Sequence, residues 1–292
     1  MENLKFTQEQ KEVPKYGANI ELRNLWVRHS QKASGEVFGT EGSDISDSSI
    51  SEAGHERANK FGKEVEGKKS FIKSYVSKVD RTSETGESIL EGYLEEGEAK
   101  VFNERYRKEL NAAIGNKEWL DLYNSKFAEN KNRILLEKGL QPEDFGSLSP
   151  DEQEKIAETA EEPIMREWLD SPDSDLAKAY DKNEAASLFA PLFNDHTLRI
   201  VEKLKSGSNL DLLHNTHKTA TEAFLTSGVL INEAGNAVST LDELGGSLQI
   251  LGNWESIVKT DENGKKEVEV RVNGNVYGVS KDRLSELLSI EK

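Results

Sequence analysis

Two arginines and two histidines, far apart in the sequence, are the side chains whose types and positions could do chemistry. Arg28 and His29 directly follow the apolar run 25–27, and Arg81 and His217 each follow a later apolar segment. A guanidinium group presents paired N–H donors that fit the oxygens of an anion. A neutral imidazole can act as a nucleophile. If the four side chains meet, they form an anion site with a nucleophile inside it.

Each of these side chains also has an interpretation that involves no chemistry. His29 could be a buried, hydrogen-bonded histidine at a strand end, and Arg81 could pair with acidic neighbours on its own helix. His214 and His217 could suggest a metal pair. On a strand, however, a spacing of three points two side chains to opposite faces. We therefore take His217 as the site residue and His214 as a structural residue, and we predict no metal site.

The elements that must position these side chains alternate between strands and helices. The pattern predicts strands at 20–27, 71–76 and 209–217, each followed by a helix, which in the first case comes after a long polar loop at 30–49. This alternation is typical of an α/β three-layer sandwich with a mainly parallel sheet and helices on both faces. Such sheets bind ligands at the carboxyl ends of their strands, which is where the two arginines and the two histidines fall.

Residues 105–190 interrupt the alternation and are rich in helix formers. We predict that they form a helical insertion or lid within a single domain of residues 1–292. Inside this segment, Ser149-Pro150 is typical of an N-cap followed by the first helical residue. The last part of the chain predicts a hairpin with turns at Asn263-Gly264 and Asn273-Gly274, followed by a short helix.

Composition excludes several classes of protein. The chain has 292 residues, no cysteine and a net charge of −16, with 54 acids against 38 bases. Without cysteine, thiol catalysis and disulfides are excluded, and the acid excess argues against a non-specific nucleic-acid binder. No apolar run is long enough to span a membrane, and the charged N-terminal residues do not resemble a secretory signal. We therefore expect a cytoplasmic protein, while the sequence leaves the oligomeric state open.

Four segments resemble, in the same order, the motifs of the histidine phosphatase superfamily, the group that includes cofactor-dependent phosphoglycerate mutases. The family's strand with Arg-His-Gly is similar to WVRHS, and its Leu-Thr-x-x-Gly-x-x-Gln-Ala helix start is similar to ISEAGHERA. Its Ser-x-x-x-Arg-x-x-x-Thr segment is similar to Ser77, Arg81 and Thr85. Its second histidine is similar to His217 in LLHNTHKTATEAFL. One departure is Ser30, where the family has glycine.

The resemblance covers residues 20–90 and 205–260, and it implies a phosphoryl-transfer site that needs no metal or other cofactor. It implies that His29 forms a phosphohistidine, which water then hydrolyses. The two arginines would neutralise the phosphoryl oxygens, and His217 would add a third donor. In the mutase-like branch an Asn-Glu-Arg segment supplies the proton donor, and the similar segment FNERY contains Glu104.

Further contacts to the substrate are expected from Ser30, Lys32 and Arg105, together with Arg28 and Arg81. The resemblance as a whole implies a phosphoric monoester hydrolase that acts on a small phosphorylated substrate through His29, without metal. One alternative is a phosphoglycerate-type phosphomutase. Another is a catalytically inactive phosphate-binding or regulatory protein of the same fold, which the serine at position 30 and the acidic surface favour.

Overall fold

The computed structural model describes residues 15–31, 49–95, 99–111 and 115–290. Within these ranges the strands form one sheet with the order β3-β2-β4-β1-β6-β7-β8-β5. The strands are β1 (Glu21–Arg28), β2 (Phe71–Val76), β3 (Lys100–Tyr106), β4 (Asn209–Thr216), β5 (Leu230–Ile231), β6 (Asn253–Thr260), β7 (Lys266–Val272) and β8 (Asn275–Val279). The α-helices are α1 (Glu52–Glu64), α2 (Asp80–Leu94), α3 (Lys117–Glu137), α4 (Pro150–Asp170), α5 (Asp175–Ala179), α6 (Lys182–Phe193), α7 (Lys218–Phe224) and α8 (Lys281–Ser289).

The parallel half of the sheet consists of β3, β2, β4 and β1. Strands β1 and β4 run in register, with Arg28 opposite Thr216, so both strands end at the same edge of the sheet. Strand β2 is parallel to β4 on its other side. The residues that follow β1, β2 and β4 therefore come together at one edge. The prediction of an α/β fold is confirmed.

The other half of the sheet is antiparallel, because β6 pairs with β1 and is followed by β7 and β8. The mainly parallel arrangement that we predicted therefore ends at β1. The predicted turn at Asn273-Gly274 is confirmed, with φ angles of 48° and 80° that suit a two-residue hairpin. The two predicted turns connect three strands that extend the central sheet.

One face of the sheet is covered by α1 and α2. Their apolar side chains pack on those of β1, β2 and β4 in a buried cluster that contains Leu25, Ile72 and Tyr93. The two helices approach closely at glycines: a Cβ atom on Gly92 would lie 1.9 Å from the carbonyl oxygen of Asn59. The predicted N-cap of α1 is confirmed, since the Ser51 hydroxyl accepts a hydrogen bond from the amide of Gly54.

The opposite face of the sheet carries a larger apolar core, to which helices α6, α7 and α8 contribute. The Trp26 ring of β1 lies 5.0 Å from Phe189 of α6 and is stacked on Trp254 of β6 at 4.9 Å. Helices α3 and α4 share this core through Trp119 and Trp168. Much of the predicted insertion 105–190 thus packs as part of the second helical layer.

Two local features of the helices bear on the predictions. Ser149 caps α4 in a capping box with Pro150 at the first helical position, as predicted. The helix that we predicted at 184–205 remains α-helical only to Phe193 and continues as a π-helical turn, Asn194–Arg199.

In the described part of the chain, no helix combines the length and the apolar character that crossing a bilayer requires.

Candidate active site

His29 and His217 meet at the carboxyl edge of the parallel strands. Their rings have centroids 5.2 Å apart and are inclined by 60°, and both residues are buried. The backbone brings them together, because the amide of His29 continues the β1–β4 pairing by donating to the carbonyl of Thr216 at 3.0 Å. The two imidazoles, 188 positions apart in the sequence, thus flank one point at the end of the sheet.

The His29 ring is oriented by its own backbone neighbourhood. Its Nδ1 lies 2.8 Å from the carbonyl oxygen of Ser30. A carbonyl oxygen can only accept, so this hydrogen bond assigns the proton to Nδ1 in the neutral ring. The lone pair is then on Nε2, which is the nitrogen that could attack an electrophile.

His217 is oriented by two side chains from the end of β2 and the start of α2. Its Nδ1 lies 3.3 Å from a terminal nitrogen of Arg81, and its Nε2 lies 3.1 Å from the hydroxyl oxygen of Ser77. A guanidinium group can only donate, so Nδ1 accepts and Nε2 carries the proton in the neutral ring. The resemblance to the Ser-x-x-x-Arg segment thus has a physical counterpart, because Ser77 and Arg81 hold the same imidazole.

Arg81 lies in the first turn of α2 and is almost fully buried. Burial and the nearby guanidinium of Arg28 lower its pKa to about 10, so it remains a cation at neutral pH. Thr85, the last residue of the same motif, donates to the carbonyl of Arg81 at 2.6 Å and accepts from the amide of Ser30 at 2.9 Å. Two arginine cations are therefore fixed near each other, which favours an anion between them.

Arg28, the last residue of β1, is held by partners that the sequence did not indicate. Its NH1 group donates to the Glu158 carboxylate at 3.1 Å and to the carbonyl of Leu248 at 3.0 Å. Its NH2 group donates to the Glu161 carboxylate at 3.4 Å. The Nε atom is buried without a hydrogen-bond partner among the described residues. Neither glutamate could be singled out beforehand, because the α4 sequence contains many acids.

Glu161 is also the counter-ion of Lys218, the residue after His217. One carboxylate oxygen accepts from the Lys218 ammonium at 3.0 Å, and the other accepts from the Tyr123 hydroxyl at 2.6 Å. Burial alone would raise the pKa of Glu161, but Lys218 and Arg28 lower it to about 2. The carboxylate is therefore ionised at neutral pH, and it links α4 to the ends of β1 and β4.

Ser30 lies between the end of β1 and helix α1. Its hydroxyl donates to the carbonyl of Gly54 in α1 at 2.7 Å, and a hydroxyl has only one proton to give. The expected contact of Ser30 with the substrate stays a prediction. The backbone of Ser30 is not among those with positive φ, so serine replaces the family's glycine without backbone strain.

Glu104 lies on the edge strand β3, beside the first turn of α2. Its carboxylate accepts from the Ser83 hydroxyl at 2.8 Å and lies 3.5 Å from the Ser74 hydroxyl. Ser74 precedes Ser77 by three residues, or roughly 10 Å along a strand, and Ser83 follows Arg81 by two residues in α2. Burial raises the pKa of Glu104, as suits a proton donor, and its role remains a prediction.

Of the two other predicted substrate contacts, Arg105 lies in the described part of the chain and is not brought to the histidines. Arg105 follows Glu104 on β3 and so points to the opposite face of the sheet, where its charge acts on Lys73 and Tyr75. Lys32 lies outside the described residues. The structure therefore groups Arg28, His29, Arg81 and His217, and it adds the carboxylates of α4 to the predicted set.

The structure was compared with solved structures. A phosphoglycerate mutase from Bacillus anthracis is 15% identical over 93% of this chain and 98% of its own, with a TM-score of 0.43. A phytase from D. castellii is 14% identical over 99% and 83%, with a TM-score of 0.45. A phosphoserine phosphatase from Entamoeba histolytica is 14% identical over 80% and 90%, with a TM-score of 0.38.

Each of these structures is less than 25% identical to this chain and has a TM-score below 0.5. No family model matches the sequence, and no curated protein matches it. At these identities and TM-scores, the likeness to solved structures decides neither the reaction nor the substrate of this chain.

Proposed function

We propose that this chain is a phosphatase that hydrolyses small phosphomonoesters through a phosphohistidine on His29. One observation carries the proposal: the ends of β1, β2 and β4 bring His29, Arg81 and His217 into mutual proximity. Arg28, adjacent to His29, supplies the second guanidinium. Two cations and two imidazoles around one point suit a phosphoryl group, whose transfer requires charge neutralisation and an in-line nucleophile.

In the first step, the phosphoryl oxygens bind between Arg28 and Arg81. The Nε2 lone pair of His29 attacks phosphorus, the N–P bond forms, and the bond from phosphorus to the ester oxygen breaks. The Nδ1 proton is retained, and the carbonyl of Ser30 stabilises the positive charge that develops on the ring. The ester oxygen leaves as an alcohol after it receives a proton, for which Glu104 is the proposed donor.

In the second step, a water molecule attacks the phosphoryl group from the side that the alcohol has left. The O–P bond forms, the N–P bond breaks, and the water proton passes to the carboxylate that gave up its proton in the first step. Inorganic phosphate is released, and His29 returns to its neutral state. The arginines provide the charge neutralisation throughout, so no metal ion takes part in the proposed reaction.

Labelling of His29 tests the proposal. The protein is mixed with a ³²P-labelled phosphomonoester and quenched in alkaline denaturant, since phosphohistidine is lost in acid. We expect label on the wild type but not on His29→Ala, which should also lose turnover. His55→Ala is the matched control, because His55 is an exposed helix residue that contacts Ser88. Turnover by His29→Ala, or inhibition of the wild type by a chelator, would contradict the proposal.

A phosphate-binding protein without turnover is the second candidate. The position of Glu104 favours it, because the described contacts of this carboxylate are with Ser83 and Ser74 rather than with the histidines. The same experiment separates the two functions: a wild type that binds phosphate but forms no phosphohistidine is a binding protein. A phosphomutase would transfer the label to an acceptor hydroxyl instead of to water.

A further inference from the structure

The guanidinium of Arg28 is held from one side by two carboxylates of helix α4. Glu158 and Glu161 lie three residues apart and therefore share one face of the helix. They accept from NH1 and NH2 of Arg28 at 3.1 and 3.4 Å. Both carboxylate side chains are largely buried, so the ion pairs are shielded from solvent screening.

Each carboxylate is fixed by further partners. The oxygen of Glu158 that contacts Arg28 also accepts from the amide of Ile250 at 2.8 Å. Glu161 is bonded to Tyr123 and Lys218. A carboxylate with several donors has little freedom to move, so it can act as a rigid support for an arginine.

The backbone carbonyl that completes the support is fixed as well. Leu248 accepts from NH1 of Arg28 through its carbonyl oxygen, and its amide donates to the buried carboxylate of Glu222 at 2.6 Å. Glu222 lies on α7, which follows His217 directly. The support of Arg28 therefore joins α4, α7 and the segment that precedes β6.

The guanidinium geometry shows which donors remain. Both hydrogens of NH1 and one hydrogen of NH2 are used by Glu158, Leu248 and Glu161. The Nε–H group remains, and it shares one edge of the planar group with an NH2 hydrogen. That edge matches two oxygens of a phosphoryl group, and the buried Nε has no hydrogen-bond partner among the residues that the structure describes.

The ion pairs of Arg28 with Glu158 and Glu161 also oppose the repulsion between two arginines. Arg28 and Arg81 are near enough for their charges to interact, and an arginine has a long, flexible side chain. Without its ion pairs, Arg28 would be free to move away from Arg81 and lose its orientation. The ion pairs with Glu158 and Glu161 counter this movement.

We propose that Glu158 and Glu161 are positioning residues that hold the Nε edge of Arg28 towards the phosphoryl group. The inference rests on the proposed function, because it assigns a phosphate ligand to that edge. It makes helix α4, within the predicted insertion, an integral part of the site rather than a separate cover. Neither carboxylate is itself required to touch the substrate.

Variants of Glu158 provide the test, with inorganic phosphate as the probe in calorimetric titration. Glu158→Ala should weaken phosphate binding about tenfold, as expected when an oriented charged hydrogen bond is lost. Glu158→Gln keeps an oxygen for Arg28 and Ile250, and should bind phosphate at least as tightly as the wild type. Glu162→Ala is the control, because Glu162 lies on the same helix and pairs with Arg166. It should bind like the wild type.

The direction of the change in phosphate affinity is informative, because removal of a negative charge by itself strengthens anion binding. Phosphate binding by Glu158→Ala that equals or exceeds that of the wild type would overturn the inference and leave the proposed function intact. Equal weakening in Glu158→Ala and Glu158→Gln would also overturn it. A wild type that binds no phosphate would instead overturn the proposed function, and this inference with it. Urea denaturation of each variant establishes that the protein titrated is folded.

Discussion

The hydroxyl of Ser30 shows how a single proton decides the role of a buried side chain. Because Ser30 donates to Gly54 of α1, it joins the end of β1 to the helix that covers it. The serine thus contributes to the local structure of the site, and its hydroxyl proton is directed to α1. The glycine-to-serine difference, which favoured an inactive protein at the level of sequence, does not by itself argue against activity.

Ser30→Ala tests this assignment. Loss of the hydrogen bond to Gly54 should reduce the free energy of unfolding by about 1 kcal/mol. Affinity for inorganic phosphate should stay the same, because the hydroxyl donates elsewhere. Urea denaturation and phosphate titration measure the two quantities. Weaker phosphate binding at unchanged stability would show that the hydroxyl contacts the anion after all.

The proposed role of Glu104 depends on the leaving group. Glu104→Gln should slow the hydrolysis of alkyl phosphates about 100-fold, because an alkoxide needs a proton as it leaves. It should change kcat/KM for 4-nitrophenyl phosphate little, since nitrophenolate leaves without a proton and the later hydrolysis of the phosphohistidine does not enter kcat/KM. Steady-state values of kcat/KM with both substrates give the comparison, and Glu91→Gln on the exposed side of α2 is the control. An equal loss of kcat/KM with both substrates would rule out Glu104 as the proton donor.

At the scale of elements, the contact between α1 and α2 determines where the arginine motif lies. Gly62 of α1 and Gly92 of α2 let the two backbones meet: a Cβ atom on either would lie 2.0 Å or less from a carbonyl oxygen of the other helix. Helix α2 carries Arg81 in its first turn. The close packing of the helices therefore helps to hold one of the two guanidinium groups in place.

Gly92→Ala should lower the free energy of unfolding by about 3 kcal/mol, because the added methyl group overlaps the Asn59 carbonyl. This outcome runs against helix propensity, by which alanine is better than glycine by about 1 kcal/mol. Gly146→Ala is the matched control, because no atom lies within 4 Å of the added Cβ there. Thermal and urea denaturation of both variants would measure the effect, and equal stability of the two would contradict the packing argument.

At the scale of the whole molecule, two histidines are buried beneath the site, in the core on the other face of the sheet. His214 is stacked on Trp26 with centroids 3.8 Å apart, and His196 lies 5.1 Å from His214. Burial, followed by the charges of Arg107 and Lys73, lowers the pKa of His196 to about 3. The pKa of His214 is also well below its usual value, mainly because of burial.

These lowered pKa values predict that acid destabilises the fold. At these two histidines the unfolded chain takes up protons below about pH 6.5, whereas the folded chain does not. The free energy of unfolding that the two neutral histidines contribute is therefore complete above pH 6.5 and is lost as the pH falls towards 3. For each histidine the loss is about 1.4 kcal/mol per pH unit. Urea midpoints between pH 7 and 5 measure it. His196→Gln should reduce the slope of the free energy of unfolding against pH by about 1.4 kcal/mol per pH unit, the equivalent of one proton. An unchanged slope would contradict the prediction.

The positions of the four chemical residues could be predicted because each depends on local pattern. An apolar run ends at Arg28, and the motif around Arg81 begins at the end of another run, so periodicity places Arg28 at a strand end and Arg81 at the start of the helix that follows a strand. Parallel strands then bring their carboxyl ends to one edge. For this reason the pairing of His29 with His217 was predictable, although the residues are far apart in the chain.

What the sequence by itself determined was the strands β1, β2 and β4 with the helices that follow them, the caps and turns, and the ends of these strands, near which the arginines and histidines lie. The tertiary structure alone decided that β6 pairs antiparallel with β1, that the Ser30 proton goes to α1, and that α4 supports Arg28. The Arg28–Glu158 contact spans 130 positions. Local periodicity shows which face of an element is apolar, but the choice among many similar glutamates depends on how the packed layers bring one of them to a given cation.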